Sequence, residues 1–200
     1  MTEQRTTEQQ AFPFVLDACC GSRMMWFDRK DPRALFIDKR QATYERDRGT
    51  PATAGRSPTV VAPDIMADFT KMPFADGFFR LVVFDPPHVR DVAESSITFG
   101  CFGSLPNDWA ALLRDGFREC FRVLCEYGVL VFKWAENDIP IMDVLDLAPI
   151  RPLFGHRSGK FTHWCVFIKD SRGAGTAPRD GARDSRDRSP RSSLKRAVAL

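Results

Sequence analysis

The sequence predicts an α/β protein built on a doubly wound sheet of seven strands, mostly parallel, with an antiparallel last strand. Two observations lead to this prediction. Seven short apolar runs are interspersed with amphipathic helical segments, an alternation typical of such sheets. Most of the runs are nearly continuous in Val, Leu, Ile and Phe, which is typical of strands buried on both faces under helices.

The predicted strands are apolar runs that end at acids, prolines or glycines. They are Phe12–Asp17, Ala34–Asp38, Thr59–Asp68, Arg80–Asp85, Tyr127–Trp134, Ile150–Phe154 and His163–Lys169. Pro63 restricts the third strand to either side of it, and Pro86-Pro87 stops the fourth. A short segment rich in glycine and cations joins the last two strands, which predicts an antiparallel hairpin.

One long helix is predicted between the fourth and fifth strands, over Asp108–Glu126. Its apolar residues recur at helical spacing on one broad face, and Asn107 or Asp108 is placed to cap its first turn. A shorter helix is predicted over Ile141–Leu147. Helices of this kind cover the faces of a parallel sheet.

The composition excludes several classes of protein. A chain of 200 residues, 44% of them hydrophobic, suits one domain with a substantial core. No apolar run approaches the roughly 20 residues that span a bilayer, and the polar start MTEQRTTEQQ lacks the apolar stretch of a signal peptide. The six cysteines show neither CxxC spacing nor zinc-finger histidines. We therefore expect a cytoplasmic protein with reduced thiols, no membrane partner and no metal site.

Three regions are predicted: a flexible N-terminus over 1–11, a domain over 12–170 and a disordered basic tail over 171–200. The tail holds eight Lys or Arg against three Asp, a surplus of five, so the total of +3 leaves the first 170 residues with −2. Affinity for nucleic acid must therefore come from local patches, with a weak, salt-sensitive contribution from the tail. Within the domain, Arg40–Pro58 is predicted to be an exposed insertion.

Four consecutive strands end in an aspartate, at Asp17, Asp38, Asp68 and Asp85. Ligands of open parallel sheets bind beyond the carboxyl ends of the strands, near the point where the strand order reverses. A single aspartate at such a position is more often the start of a turn or a helix cap. Four in succession, with Gly21 just after the first, favour a ligand site.

These residues resemble class I S-adenosylmethionine-dependent methyltransferases, whose sheet is Rossmann-like. Val15–Arg23 (VLDACCGSR) is similar to the family's first motif, which implies that Asp17, Cys19 and Gly21 lie by the methionine part of the cofactor. The resemblance assigns Asp38 to the ribose hydroxyls, Asp68 to the adenine amino group and Phe69 to the adenine ring. The family commonly has glycine where this chain has Cys19 and Arg23.

Asp85-Pro86-Pro87-His88 resembles the DPPY-type motif of amino-methyltransferases, which modify exocyclic nitrogens of nucleic-acid bases. Such an amine is a poor nucleophile because its lone pair is delocalised into the ring. The resemblance implies that the Asp85 carboxylate and a backbone carbonyl accept the two N–H protons and direct the lone pair at the methyl group. The prolines stiffen the turn, and His88 replaces the ring that stacks on a flipped-out or unpaired base.

Five further residues are expected on the substrate side of the same sheet edge. Lys133 and Trp134 end the fifth strand, where Trp134 is either a wall of the substrate pocket or a core residue beside an outward-reaching lysine. His156, Arg157 and Lys160 lie in the predicted hairpin loop. They either hold a phosphate backbone or form a solvated basic loop.

The leading hypothesis is methyl transfer from S-adenosylmethionine to an exocyclic amine of a nucleic-acid base, with adenine N6 in DNA preferred. We expect a monomer or weak dimer, resembling small methyltransferases of phages and prophages, in which the loops Arg40–Pro58 and Val89–Asn107 contact the recognition sequence. Three alternatives stay open. The first is an RNA guanine-N2 methyltransferase, which has similar motifs. The second, less favoured, is a methyltransferase of small molecules or of protein amides. The third is a binding module without activity, favoured by the departures at Cys19, Arg23 and His88.

Overall fold

The computed structural model describes residues 14–45, 58–94 and 96–170. The strands in this part of the chain are β1 (Val15–Asp17), β2 (Ala34–Asp38), β3 (Ala42–Tyr44), β4 (Thr59–Val61), β5 (Ile65–Met66), β6 (Phe79–Phe84), β7 (Leu124–Ala135), β8 (Phe154–Ser158) and β9 (Thr162–Ile168). The helices are α1 (Ile97–Phe102), α2 (Trp109–Val123) and α3 (Ile141–Leu145). The predicted N-terminus 1–11, the predicted tail 171–200 and most of the predicted insertion lie outside the described residues.

Seven of the strands form one sheet in the order β5-β2-β1-β6-β7-β9-β8. Neighbouring strands from β5 to β7 are parallel, whereas β9 is antiparallel to both β7 and β8. The predicted fold is therefore confirmed: a seven-stranded, mostly parallel α/β sheet with an antiparallel last strand.

The strand order reverses at β1, which lies between β2 and β6. Asp17 at the end of β1 is in register with Phe36 of β2 and with Val83 of β6. The carboxyl ends of these three parallel strands consequently meet at one edge of the sheet. In open α/β sheets this switch point is where ligands bind.

The third predicted strand is divided in two. Thr59–Val61 forms β4, which pairs with β3 in a separate antiparallel hairpin, and only Ile65–Met66 joins the main sheet as β5. Pro63 lies between them and, since it lacks an N–H group, interrupts the run of backbone hydrogen bonds. The strand β3 was not predicted.

The sixth predicted strand, Ile150–Phe154, is wrong. The strand β8 begins where that prediction ends, at Phe154, and extends through residues expected in the hairpin loop. Pro149 and Pro152 explain the difference, because proline cannot donate to a strand ladder. The turn is correspondingly short and includes Gly159, whose φ of +67° suits glycine.

Helix α2 confirms the long predicted helix. It begins after Asp108, whose side chain accepts a hydrogen bond from the Ala111 N–H at 3.4 Å. It ends at Val123, and the three residues Leu124–Glu126 that were predicted to be helical form the start of β7. Helix α3 confirms the shorter prediction but ends at Leu145. The six-residue helix α1 was not predicted.

The core lies between α2 and strands β6 and β7. The Phe117 ring of α2 is 5.5 Å from the Phe84 ring and 4.9 Å from the Phe132 ring, in edge-on and tilted contacts. Gly116 brings the helix close to the sheet, because a Cβ at this position would lie 2.8 Å from both the Phe69 and the Phe84 rings. Close approach at Gly116 therefore fixes the position of α2 above the strands.

The opposite face of the sheet is covered differently. The described segment 18–33, between β1 and β2, makes turns and contains no α-helix. Its Trp26 packs edge-on against Phe36 with 4.8 Å between ring centroids, and so covers the β2 end of this face. None of the helices in the described residues is long and apolar enough to cross a membrane.

Replacing Phe117 with alanine tests this packing. Phe117 is fully buried, so Phe117→Ala should lower the free energy of unfolding by about 3–5 kcal/mol. Urea denaturation measures the change. The control is the neighbouring Arg118→Ala, 70% exposed in its side chain, which should change stability by less than about 0.5 kcal/mol. Equal losses in the two variants would contradict the packing described.

Candidate functional site

A cavity of about 480 Å³ opens at the carboxyl edge of the sheet, next to the switch point. Its volume falls within the range of about 300–1,000 Å³ typical of small-molecule sites. The segments after β1, β2 and β6 form its floor, and residues from Phe99 to Pro106 cover it. Nine of the predicted site residues line it: Cys19, Gly21, Asp38, Phe69, Asp85, Pro86, Pro87, His88 and Lys133.

Asp17 lies beneath this cavity and is not among its lining residues. Its carboxylate is fully buried and accepts hydrogen bonds from Trp26 Nε1 at 2.7 Å and from the Cys19 N–H at 3.3 Å. Burial raises the pKa of Asp17 to about 7. The contacts of Asp17 hold the turn that follows β1 and the covering Trp26 in place.

The turn after β1 presents its backbone to the cavity. Gly21 has a φ of +49°, and its N–H donates to Asp38 Oδ2 at 3.0 Å. A Cβ at Gly21 would lie 3.5 Å from the Cys101 carbonyl oxygen, so the turn is also close to α1. Gly21 thus connects β1, β2 and the cover of the cavity.

Arg23 has a φ of +55°, a backbone conformation that favours glycine. Glycine is common at this position in the methyltransferases that the first motif resembles. The Arg23 side chain leads away from the cavity and donates to the Arg29 and Ala62 carbonyls and to Asp64, each within 2.7–2.8 Å. The guanidinium also lies 3.9 Å from the centroid of the Phe36 ring. This departure therefore leaves the lining of the cavity unchanged.

Asp38 is 4% exposed, and both of its carboxylate oxygens are occupied. Oδ1 accepts from the Arg40 backbone N–H at 2.9 Å and from Arg40 Nε at 3.1 Å. Oδ2 accepts from Gly21 at 3.0 Å and from Arg40 Nη2 at 3.3 Å. Each oxygen has two donors, so a ribose hydroxyl can bind Asp38 only by replacing one of them.

Arg40 is a cavity residue that sequence reasoning placed in the insertion. Besides its ion pair with Asp38, it donates from Nη1 to the Phe99 carbonyl of α1 at 2.8 Å. It therefore links the end of β2 to the cover of the cavity. The signal that identifies it is a cation two residues after a strand-ending acid.

Asp85 follows β6 and forms an ion pair with Lys133 of β7, with 2.6 Å between Asp85 Oδ2 and Lys133 Nζ. Both side chains line the cavity and are about four-fifths buried, with 17% and 22% exposed. Asp85 Oδ1 is buried and has no hydrogen-bond partner among the described residues. A buried carboxylate oxygen without a donor is costly, so this atom favours a bound N–H or O–H group.

His88 and Phe102 form an aromatic wall of the cavity. Their ring centroids are 5.4 Å apart, and Phe102 keeps 37% of its surface exposed. His88 is 7% exposed, and its Nδ1 has no hydrogen-bond partner among the described residues. Burial lowers the pKa of His88, which keeps the imidazole neutral at pH 7. Sequence reasoning missed Phe102, because α1 approaches His88 only in the folded chain.

Of the two residues expected at the adenine part of the cofactor, Phe69 and Asp68, only Phe69 lines the cavity. Phe69 is 5% exposed and lines the cavity, with its ring 5.2 Å from that of Phe84. Asp68 is not among the lining residues: its Oδ1 accepts from the Thr70 N–H at 2.8 Å and from the Thr70 hydroxyl at 2.7 Å. Asp68 Oδ1 therefore caps a turn, and its contact with the adenine amino group stays a prediction.

Trp134 and the hairpin residues also lie outside the cavity lining. Trp134 is fully buried, donates from Nε1 to the Ile139 carbonyl at 3.0 Å, and stacks on Phe132, so it is a core residue and not a wall. His156 and Arg157 belong to β8 and Lys160 to the following turn, and all three are exposed. Because Ala135 pairs with Thr162, this turn still lies at the carboxyl edge of the sheet.

Cys19 and Cys20, two of the thiols that line the cavity, are unreactive because of their surroundings. Burial raises the pKa of Cys19 well above its ordinary value and that of Cys20 to about 12. Both therefore stay protonated and pack as small apolar side chains. Within the described residues, no cluster of three His, Cys, Asp or Glu side chains is arranged to hold a metal ion.

Several solved structures are similar to this chain. The PH0226 protein from Pyrococcus horikoshii OT3 superposes with a TM-score of 0.50 at 15% sequence identity, over 82% of this chain and 84% of that one. Two others have lower TM-scores. For the Burkholderia thailandensis 1,6-didemethyltoxoflavin-N1-methyltransferase, the TM-score is 0.45 at 13% identity, over 78% of this chain and 70% of that one. For a TehB-like SAM-dependent methyltransferase from Corynebacterium glutamicum, it is 0.41 at 13% identity, over 78% and 79%.

No protein-family model matches the chain, and no curated protein matches it. At 15% identity, the likeness to the Pyrococcus protein shows a shared fold and nothing about chemistry. Function must therefore be argued from the residues of the cavity.

The pH dependence of stability tests the environment of Asp17. Its pKa is about 7 in the folded chain against 3.8 for an unperturbed carboxyl, so between these values the folded state binds one more proton than the unfolded state. Folding stability should then fall as the pH rises, by up to about 1.4 kcal/mol per pH unit from this group. Urea denaturation across this range should show a shallower dependence for Asp17→Asn than for the wild type. Identical slopes would contradict a buried, protonated Asp17.

Proposed function

We propose that the protein transfers a methyl group from S-adenosylmethionine to an exocyclic amine of a nucleic-acid base. The observation that supports this most strongly is the Asp85 carboxylate, which is paired on one oxygen and lacks a partner on the other. It stands in an Asp-Pro-Pro-His sequence in the lining of a cavity at the switch point of the sheet. The sequence resemblance assigns this motif to amino-methyltransferases.

The cavity residues fit the cofactor. Gly21 supplies a turn in which backbone can approach a ligand, Phe69 supplies an apolar surface, and Asp38 lies at the end of β2 where ribose hydroxyls bind in related nucleotide sites. Hydroxyl donors at Asp38 take the place of Arg40 N–H groups, so we expect Arg40 to shift on binding. When bound, S-adenosylmethionine supplies a sulfonium-activated methyl group.

The amine is held by groups of this chain. Asp85 Oδ1 accepts one of its N–H protons, while the ion pair with Lys133 fixes the orientation of the carboxylate. A backbone carbonyl of the Pro86-Pro87 turn accepts the second proton, because the prolines have no N–H group that could occupy it instead. Two acceptors on the amine favour a pyramidal nitrogen, whose lone pair is then available for in-line attack on the methyl carbon. The N–C bond forms as the C–S bond breaks, S-adenosylhomocysteine leaves with the electron pair on sulfur, and the excess amine proton passes to the Asp85 carboxylate.

The target base is planar, and the cavity offers aromatic surfaces. The partly exposed Phe102 and the neutral His88 line the same cavity as Asp85. A base stacked on these rings must be unpaired or flipped out of a duplex. The His88 imidazole offers less stacking area than tyrosine, and Phe102 of the cover compensates for it.

Adenine N6 in DNA is the preferred substrate within this proposal. Guanine N2 in RNA is the second candidate, because its exocyclic amine also needs acceptors for its N–H protons.

The six cysteines are free thiols, which fits a reducing compartment such as the cytoplasm.

The direct test measures transfer of labelled methyl from S-adenosylmethionine to unmethylated duplex DNA, single-stranded DNA and bulk RNA. Digestion of the products identifies the modified nucleoside. Label in N6-methyladenine from DNA is expected. Label only in guanine from RNA would show that guanine N2 in RNA, and not adenine N6 in DNA, is the substrate. No label in any polymer would overturn the proposal.

Replacing Asp85 separates chemistry from cofactor binding. Asp85→Asn keeps the shape but removes the carboxylate charge, so methyl transfer should fall by about 100- to 1,000-fold. Cofactor affinity, measured by isothermal titration, should remain. The matched control is Asp76→Asn, an 80% exposed aspartate before β6 at the opposite sheet edge, which should retain full activity. Full activity of Asp85→Asn would exclude the proposed role.

Replacing Gly21 tests the cofactor turn. An L-residue at a φ of +49° is strained by about 1–2 kcal/mol, and the added methyl group enters the turn next to the cavity. Gly21→Ala should weaken binding of S-adenosylmethionine by about tenfold or more, equal to about 1.4 kcal/mol. Gly77→Ala is the matched control, because Gly77 has a φ of +68° but lies away from the cavity. Equal affinities in both variants would contradict the assignment.

A further inference from the structure

The register of the last three strands forms a row of side chains that starts at the cavity. Lys133 of β7 pairs with Trp164 of β9, which pairs with His156 of β8. Directly paired residues have their side chains on the same face of a sheet. Lys133 lines the cavity, and its Nζ is 5.9 Å from the centroid of the Trp164 ring. The row therefore runs from Asp85 and Lys133 to the exposed edge strand β8.

Exposed aromatic side chains flank this row. Phe154 of β8 is on the same face, one pair further along, and 62% of its surface is exposed. Phe161 in the turn is 42% exposed, with Lys160 Nζ 4.9 Å from its ring centroid. Together with their polar neighbours these rings form what we call the hairpin surface, which consists of Phe154, His156, Lys160, Phe161 and Trp164.

Positive charge is concentrated in this part of the chain. Residues 147–169 contain four Lys or Arg and no Asp or Glu, although the first 170 residues together have two more acids than bases. At the turn, the Arg157 guanidinium donates to the backbone carbonyl of Lys160, and Arg157 pairs with His163 on the face opposite His156. The nearby Glu136 is engaged with His163 and with the Ile141 N–H. The exposed Lys160 beside Phe161 is therefore the cation that this face offers to an anionic partner.

We propose that the hairpin surface binds a single-stranded stretch of DNA adjacent to the target base, an inference that rests on the proposed function. Bases of a single strand stack on exposed aromatic rings, and phosphates pair with the cations between them. Phe161 and Trp164 provide stacking faces, while Lys160 and His156 face the backbone of the strand. Since the row ends at Lys133, a strand on this surface delivers its next base to Asp85.

The test measures binding by fluorescence anisotropy, with a labelled DNA strand of about 20 nucleotides, longer than one such site. The full chain is used without cofactor, so binding is separated from methyl transfer. Lys160→Glu and Phe161→Ala change exposed side chains of the hairpin surface. Arg114→Glu and Met142→Ala are matched controls, because both residues are exposed on the helices α2 and α3, away from that surface.

Each hairpin variant should weaken binding by about tenfold, the loss expected for one stacked base or one phosphate contact. Lys160→Glu should also reduce the slope of log affinity against log salt by about 0.7. Each control should stay within about twofold of the wild type. Absence of binding by the wild type, or equal losses in the controls, would overturn the inference.

Methyl transfer by the same proteins distinguishes the two proposals. If the hairpin variants weaken DNA binding but the wild type transfers no methyl group, the proposed function is overturned and the proposed binding surface stands. Methyl transfer to single-stranded DNA with an unchanged KM in both hairpin variants would remove the surface and leave the function. A raised KM with an unchanged kcat is the expected result, since these side chains bind the strand and do not touch the reacting amine.

Discussion

The parallel register of β1 with β2 and β6 is the constraint on which the site depends. It brings Asp17, Asp38 and Asp85 to one edge of the sheet, although they are separated by up to 68 positions in the sequence. Three like residues then differ only in their surroundings. Asp17 is sealed beneath the turn, Asp38 has all its acceptor positions filled, and Asp85 alone retains a carboxylate oxygen without a donor.

The second organising contact is Arg40. It neutralises a buried carboxylate at Asp38 and holds the Phe99 carbonyl, so the edge of the sheet and the cover of the cavity share one cation. Loss of this arginine would leave a buried charge without a partner, which costs more than the pair itself contributes. A ligand hydroxyl that replaces a guanidinium N–H at Asp38 therefore acts on the cover as well, because the same guanidinium holds the Phe99 carbonyl.

Sequence patterns predicted the features that residues close together in the sequence determine, namely the strands, the helices and the residues that end them. The apolar runs located most of the strands, the helical spacing located α2, and the aspartates at strand ends pointed to the sheet edge at which the cavity lies. Spacing does not distinguish Asp38 from Asp68, because only the folded chain shows that Asp38 lines the cavity and that Asp68 Oδ1 bonds Thr70. Phe102 and Arg40 were missed for the same reason: their roles come from contacts between segments far apart in sequence. The shift of β8 to Phe154–Ser158 shows how prolines before a strand move its start.

A crystal structure of the protein with S-adenosylhomocysteine would show directly whether the cavity holds the cofactor. The ligand is expected in the cavity between the Gly21 turn and Asp85, with Arg40 withdrawn from at least one oxygen of Asp38. A ligand bound elsewhere, or an unchanged cavity at saturating ligand, would contradict this expectation.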